Sequence, residues 1–283
     1  MNADDFGLTG GVNRAIRELN SAGVLTSCTL MARALATHEA IAIARDTPTL
    51  GVGCHVVLVD GESVLPAARI PSLASPAPTL SNSSRLKPTL GSFLKPLLLG
   101  RIDPDEIEAE AAAQIGQLQA RGVALTHIDT HKHTHMFPAV LRPVLRAARK
   151  AGIRAVRNPF EPSWSLRATM AAPWIRRTEV ELLRLLEPGF RRIVAEEGFV
   201  TTDGAIGVLA TGTLDAATVT SLLRGLPEGT WELVTHPGYN DADLGRAGTR
   251  LLASRETERD ALQALKGFPE IELISFSGLN QQS

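Results

Sequence analysis

The sequence predicts an α/β fold with a parallel sheet or barrel, and three observations carry that expectation. Short β-rich runs alternate with helical patterns, apolar residues make up 44% of the 283-residue chain, and polar clusters follow the candidate strands. The candidate strands are, in order, Val24 to Ala32, Gly51 to Val59, Leu125 to Thr130, Ala155 to Arg157, Trp231 to Thr235 and Glu272 to Ser275. Between them, Asp103 is a good N-cap, with Pro104 at the first helical position and Glu106 at the capping-box position, and Gly122 ends that helix. Further helices are expected from Pro138 to Ala151 and from Ser254 to Lys266, each stopped by a glycine. From Pro66 to Pro96 the density of Pro, Ser and Thr reads as a long surface excursion that borders the substrate site.

Composition narrows the function. A formal charge of -1 leaves no broad basic footprint, so nucleic acid is not an expected partner. Two cysteines, Cys28 and Cys54, form no CxxC pair, which fits a reducing cytoplasm. Neither a signal segment nor an apolar run long enough to span a bilayer is visible.

Chemistry concentrates in four places. The segment Asp129-Thr-His131-Lys-His133-Thr-His135 follows an apolar strand, and if the chain stays extended its period of two puts Asp129, His131, His133 and His135 on one face. Three imidazoles together suggest a metal, with a carboxylate completing or orienting the set, although the cluster does not say which ring binds. His55 near the end of an apolar strand needs a partner if buried. The pair Asp4 and Asp5 at a strand end can divide the work, one carboxylate binding a metal and the other acting on its water. His236, on the turn after the strand ending at Thr235, is presented towards the same mouth, because parallel folds keep their sites at the carboxyl ends of strands.

In their order, NADDFG, GCHVVLVDG, THIDTHKHTHMFP and THPGY resemble the YdjC-like carbohydrate deacetylases. HKHTHMFP, the ARIPSL stretch at Ala68 to Leu73 and VRNPFEP at Val156 to Pro162 look more narrowly like the hopanoid-biosynthesis-associated branch. The resemblance spans nearly the whole chain and implies one domain over residues 1–283, folded as a distorted (β/α) TIM-like barrel. It implies a divalent metal held by Asp5, His55 and His131, zinc rather than magnesium on donor softness, with Asp4 as general base and His236 as general acid. Asp129, His133, His135 and Arg157 stand as supporting or substrate-contacting candidates.

The implied reaction removes the N-acetyl group from an N-acetylglucosaminyl lipid, a hopanoid glycoside. Soluble chitooligosaccharide substrates and a non-catalytic metal-binding barrel are the alternatives. Residues 164–192 mix apolar side chains with Arg167, Arg176, Arg177, Arg184, Arg191 and Arg192, which suits either peripheral contact with an anionic inner membrane or a solvated amphipathic helix whose apolar face completes the barrel. Relatives carry an apolar strand before NADDFG, whereas here Asn2 follows Met1 at once. Two expectations follow: either the chain start is assigned too late, or the barrel lacks its first strand and Asp4 and Asp5 are prone to fray.

Overall fold

Six strands, β1 (Asn2–Phe6), β2 (Ser27–Leu30), β3 (Gly51–Val56), β4 (Leu125–Thr130), β5 (Gly204–Ile206) and β6 (Trp231–Thr235), form one parallel sheet in the order β4-β3-β2-β1-β6-β5. This computed structural model describes residues 1–75, 85–169, 173–265 and 270–279. Every residue of β1, β2, β3 and β5 is buried, as expected where helices cover a parallel sheet. The helices are α1 (Gly10–Ser21), α2 (Thr37–Asp46), α3 (Leu90–Leu98), α4 (Pro104–Ala120), α5 (Pro138–Lys150), α6 (Ser163–Ala168), α7 (Trp174–Leu183), α8 (Glu187–Glu196), α9 (Ala216–Arg224), α10 (Ala242–Arg246), α11 (Ala253–Gln263) and α12 (Phe276–Leu279).

The sheet is curled, consistent with a distorted barrel. Its two edge strands are linked by single backbone bonds through residues 154–160 rather than by a continuous ladder. Ile128 N–H donates to the Ala155 carbonyl at 3.0 Å, Val156 N–H to Val200 at 3.0 Å, and Ala205 N–H to Phe160 at 3.1 Å. The run Ala155 to Arg157, read as a strand from sequence, therefore forms isolated bridges only.

The expectation of a missing first strand is overturned. NADDF itself is the strand, set between β2 and β6, with the Met1 carbonyl accepting from Ser27 N–H at 3.0 Å. It escaped notice because three of its five residues are polar and face the inside of the curl. Glu272 to Ser275 forms no strand; it runs beneath the sheet, where Thr26 Oγ1 donates to the Ile274 carbonyl at 2.7 Å. The α4 cap is correct in Asp103, which accepts from Asp105 N–H at 2.9 Å, but Glu106 closes no capping box. Instead Glu106 Oε2 accepts from Ser72 N–H at 2.8 Å and Ser72 Oγ at 2.7 Å. Glu110 on the same helix receives Val64 N–H and Leu65 N–H at 2.8 and 2.9 Å. The excursion is thus fastened to α4, and Ile70, Leu73 and Leu86 are buried. Residues 76–84 of that excursion, Met170, and Lys266 at the expected end of the last long helix lie outside the described residues.

The strand interiors decide how tightly the curl can close. On β3 and β4, Gly53 and His127 both face inward, and a Cβ on Gly53 would lie 2.6 Å from the His127 ring. That ring cannot retreat, because it stacks on Phe276 with centroids 3.8 Å apart. Gly53→Ala is expected to destabilise the protein by about 1–3 kcal/mol through overpacking, measured by urea unfolding. Gly116→Ala, on α4 where nothing lies within 4 Å of the added carbon, is the control and is expected to be neutral or stabilising.

Candidate metal centre

Alternation along β1 places Asn2 and Asp4 on the inner face, where Asn2 Nδ2 donates to Asp4 Oδ1 at 3.0 Å. Asp5 would then face outward, but its φ of +64° breaks the alternation, and the β1–β2 register shifts between Ala3 and Phe6. A left-handed non-glycine residue costs roughly 1–2 kcal/mol. Its effect here is to bring both adjacent carboxylates to one mouth, which regular alternation could not do.

The register of β3 on β4 pairs His55 with Asp129, and the His55 Nδ1 lies 2.8 Å from Asp129 Oδ1. An ionised carboxylate only accepts, so Nδ1 carries the proton and Nε2 is turned towards the opening. There Nε2 lies 3.2 Å from His131 Nδ1 and 3.5 Å from Asp5 Oδ1, and His131 Nδ1 is also 3.5 Å from Asp5 Oδ1. Asp5, His55 and His131 thus present three donor atoms in a triangle, one of two such groups among the described residues. The other, Asp4, His55 and Asp129, already shares a buried cation, since Arg157 donates to both carboxylates.

The histidine segment does not continue as a strand. It ends at Thr130, and His131–Met136 forms a tight turn in which Lys132 and His133 take φ of +58° and +52°. The four-residue common face expected from period two is therefore corrected. His131 joins the triangle, while His135 is buried between Thr130 Oγ1 at 2.8 Å and the Arg157 carbonyl at 3.2 Å. His133 is half-buried, and its Nδ1 has no partner.

His236 follows β6 as expected, with Nε2 3.7 Å from Asp4 Oδ2. Its backbone N–H donates to Glu258 at 2.5 Å, and its Nδ1 faces the same carboxylate at 3.8 Å. Glu258 and Arg255, both on α11, were not singled out from the sequence. Arg255 Nη2 donates to Asp5 Oδ2 at 2.5 Å. The signal was available: Arg255 and Glu258 occupy the same helical stripe as the buried Ala261 and Leu262, and charges on an apolar stripe need partners. Glu232 and Thr29 were missed as well. Thr29 Oγ1 sits 3.1 Å from His55 Nδ1, and Glu232 Oε1 accepts from Arg157 Nε at 2.8 Å.

Comparison with known proteins agrees with this architecture. The sequence profile of the family described as YdjC-like protein matches residues 1–266. A carbohydrate deacetylase of Brevibacillus brevis is 32% identical, covering 99% of this chain and 98% of that protein. A chitooligosaccharide deacetylase of Enterobacter sp. is 36% identical over 54% of this chain and 56% of its own length. Among solved structures, a proposed cellobiose-phosphate cleavage protein of Enterococcus faecalis V583 superposes with a TM-score of 0.69 at 25% identity, covering 93% of this chain and 89% of that one.

Electrostatically the site is dominated by Arg157, which is fully buried among Asp4, Asp129 and Glu232. Burial alone would raise the carboxyl groups of Asp4 and Asp129, but the guanidinium holds both below the usual carboxylate range. For Glu232 burial wins, and its carboxyl is pushed up to about 7. Burial would lower His55, yet Asp129 beside it raises the imidazole to about 9. Burial depresses His133 to about 3 and His135 to about 4, so both rings are neutral at pH 7.

Asp4 and Asp129 bind fewer protons folded than unfolded. Their ion pairs with Arg157 therefore stabilise fully above the unfolded carboxylate pKa of about 4, and that stabilisation is lost as pH falls through the lower folded values. Arg157→Met leaves buried carboxylates unpaired and is expected to cost about 3–5 kcal/mol at pH 7. In urea unfolding the deficit should shrink as pH falls towards and below about 4, where first the variant's unpaired carboxylates and then those of the unfolded parent take up protons. A pH-independent deficit would mean that lost packing, and not charge, is the cause.

Proposed function

The chain belongs to the YdjC-like protein family, and on that premise we propose that it is a metal-dependent deacetylase that hydrolyses the N-acetyl group of an amino sugar. The observation that carries the reading is the triangle of Asp5 Oδ1, His55 Nε2 and His131 Nδ1, with edges of 3.2, 3.5 and 3.5 Å. Ligands about 2.0–2.1 Å from a tetrahedral ion stand roughly 3.3 Å apart, and those of an octahedral ion roughly 2.9 Å. The donor set fits a divalent ion, and its spacing and two imidazoles favour zinc over magnesium. Charge agrees, for the carboxylates of Asp4, Asp5, Asp129 and Glu258 outnumber the guanidinium groups of Arg157 and Arg255 in this cluster.

When bound there, such an ion would polarise the acetyl carbonyl and acidify a water. The protein supplies the proton transfers. Asp4 Oδ1 is engaged by Arg157 Nη2 at 2.6 Å and Asn2 at 3.0 Å, whereas Oδ2 accepts from Arg157 Nη1 at 2.8 Å and otherwise faces His236. Oδ2 is thus the atom with a lone pair left for a water proton. Burial would lower the His236 pKa, but Glu258, Asp4 and Asp5 together outweigh it and raise it, so the ring can arrive protonated and pass a proton to the leaving amine.

The substrate is proposed to be an N-acetylglucosaminyl lipid of the hopanoid glycoside type, acted on at a membrane surface from the cytoplasmic side. Exposed Trp174, Ile175, Leu182 and Leu185 on and just beyond α7 support an apolar aglycone. Two of the arginines do not add to that support. Arg176 donates to the carbonyls of Thr211 and Val208 and Arg177 to those of Leu166 and Thr169, so both hold α7 in place instead of facing lipid. No helix among the described residues is long and apolar enough to cross a membrane. A soluble chitooligosaccharide remains the second reading, favoured by the name of the Enterobacter relative.

The test is acetate release by zinc-loaded protein from N-acetylglucosaminyl hopanoid and, separately, from chitooligosaccharides. Asp4→Asn is expected to abolish release on the preferred substrate while retaining zinc, and His55→Ala and His131→Ala are expected to lose zinc by equilibrium dialysis. Zinc retained by the double alanine variant would refute the ligand set. Zinc bound by the parent protein without acetate from either substrate would indicate a non-catalytic metal-binding barrel.

A further inference from the structure

Arg157 distributes its five N–H donors over three carboxyl groups, and the distribution is uneven. Nη2 donates to Asp4 Oδ1 at 2.6 Å and Nη1 to Asp4 Oδ2 at 2.8 Å, while Nη1 also reaches Asp129 Oδ2. Nε and the second hydrogen of Nη2 both go to one oxygen, Glu232 Oε1, at 2.8 and 2.7 Å. Held along its Nε–Nη2 edge, the planar guanidinium is fixed in orientation, and its other three hydrogens point at Asp4 and Asp129.

The second oxygen, Glu232 Oε2, is buried and has no partner. An ionised Glu232 would be the third anion on one guanidinium. The charged groups that face it are Arg157, Asp4 from β1, Asp129 from β4 and the Met1 amine, which burial lowers to about 6. None of these but Arg157 is a cation at neutral pH. A neutral carboxylic acid has a different need, because its Oε2 becomes a donor that requires only an acceptor. Asn2 Oδ1 is such an acceptor. It lines the same small cavity of about 30 Å³ as Glu232, the bond from Asn2 Nδ2 to Asp4 at 3.0 Å orients its amide, and no donor reaches Oδ1. Burial, reinforced by Asp4 and Asp129 and opposed by Arg157, raises the Glu232 carboxyl to about 7, in agreement with this complementarity.

We propose that Glu232 is a positioning residue that works as a neutral acid, its Oε1 orienting Arg157 towards Asp4 without drawing the guanidinium charge away from that base. An ionised Glu232 would compete with Asp4 for the same cation. A neutral carbonyl oxygen fixes the geometry and leaves the charge to Asp4 and Asp129. Only the role of Asp4 rests on the deacetylase reading; the protonation state of Glu232 stands apart from it.

Two variants separate orientation from charge. Glu232→Gln copies the neutral acid, with an acceptor for Arg157 and a donor for Asn2, whereas Glu232→Leu fills the space and offers Arg157 nothing. With zinc-loaded protein and di-N-acetylchitobiose, Glu232→Leu is expected to lose about tenfold in kcat at nearly constant KM and zinc affinity, and Glu232→Gln to keep most of the parental kcat. A second readout needs no turnover. A carboxyl raised on folding stabilises fully below its unfolded value of about 4, and that stabilisation is lost as pH rises through the folded value of about 7. In urea unfolding the parent protein is therefore expected to lose ground against Glu232→Gln between about pH 5 and about pH 8. A margin equal at both pH values, kcat lost equally in the two variants, or parental kcat in Glu232→Leu would each overturn the proposal. A parent protein silent in the acetate assay whose margin still changes with pH defeats the deacetylase reading and upholds the neutral Glu232.

Discussion

One guanidinium organises the inside of this protein. Arg157 offers five N–H donors, and contacts to all sides are made: to both oxygens of Asp4, to Asp129, and through Nε and Nη2 to Glu232. Those carboxylates come from β1, β4 and β6, so a single side chain ties three strands of the sheet together from within the curl. Its own backbone is fixed too, the N–H bonded to Ile128 at 3.0 Å and the carbonyl facing His135 at 3.2 Å. An apolar core would have closed the strands more cheaply in desolvation energy. It would not have held carboxylates ionised at the mouth, and this is what the proposed chemistry requires.

A second constraint runs from the far end of the chain. Asp5 lies on β1 and His236 just after the adjacent β6, yet both are held by α11, Asp5 through Arg255 and His236 through Glu258, residues one helical turn apart. The helix therefore sets the distance between the proposed ligand and the proposed acid. Glu258 also receives Gly212 N–H at 2.9 Å, which extends the same bracing to the loop beyond β5. Displacement of α11 would disturb both groups at once, although it supplies neither a ligand nor a proton donor.

Much of this was legible in the sequence, and the failures have physical causes. Apolar runs located β2, β3, β4 and β6 to within a few residues, because strands buried on both faces must be apolar where they meet helices. β1 was hidden for the opposite reason: its inward face is turned to a polar interior, so NADDF carries little apolar pattern. β5 is only three residues long and offers no period to read. That His55, His236 and the start of the histidine segment stand at strand ends was legible because parallel folds collect their chemistry there, whereas the choice of His131 among the three rings came from the family resemblance. The geometry of the histidine segment was not, since period two assumes a strand and Lys132 and His133 leave it. Arg255, Glu258 and Glu232 act through partners that are remote in sequence, and no local pattern names a partner that lies 250 residues away in the chain, as Asp5 does from Arg255.

Adjacent aspartates with different proposed roles pose a sharper question, namely what makes Asp5 the ligand and Asp4 the base. The two share residue type, neighbourhood and burial, and each has an arginine. The difference lies in how the arginines bind. Arg157 grips Asp4 at both oxygens, which favours a carboxylate fixed in plane and kept ionised. Arg255 takes only Oδ2 of Asp5 and leaves Oδ1 facing His55 and His131. A ligand needs one oxygen free and aimed at the ion, while a base needs a charged oxygen near a water and apart from the ion. The bidentate pair supports the second role and the one-sided pair the first. On this argument the proposed division of labour between Asp4 and Asp5 would rest on two arginines from distant parts of the chain, and not on the DD motif itself.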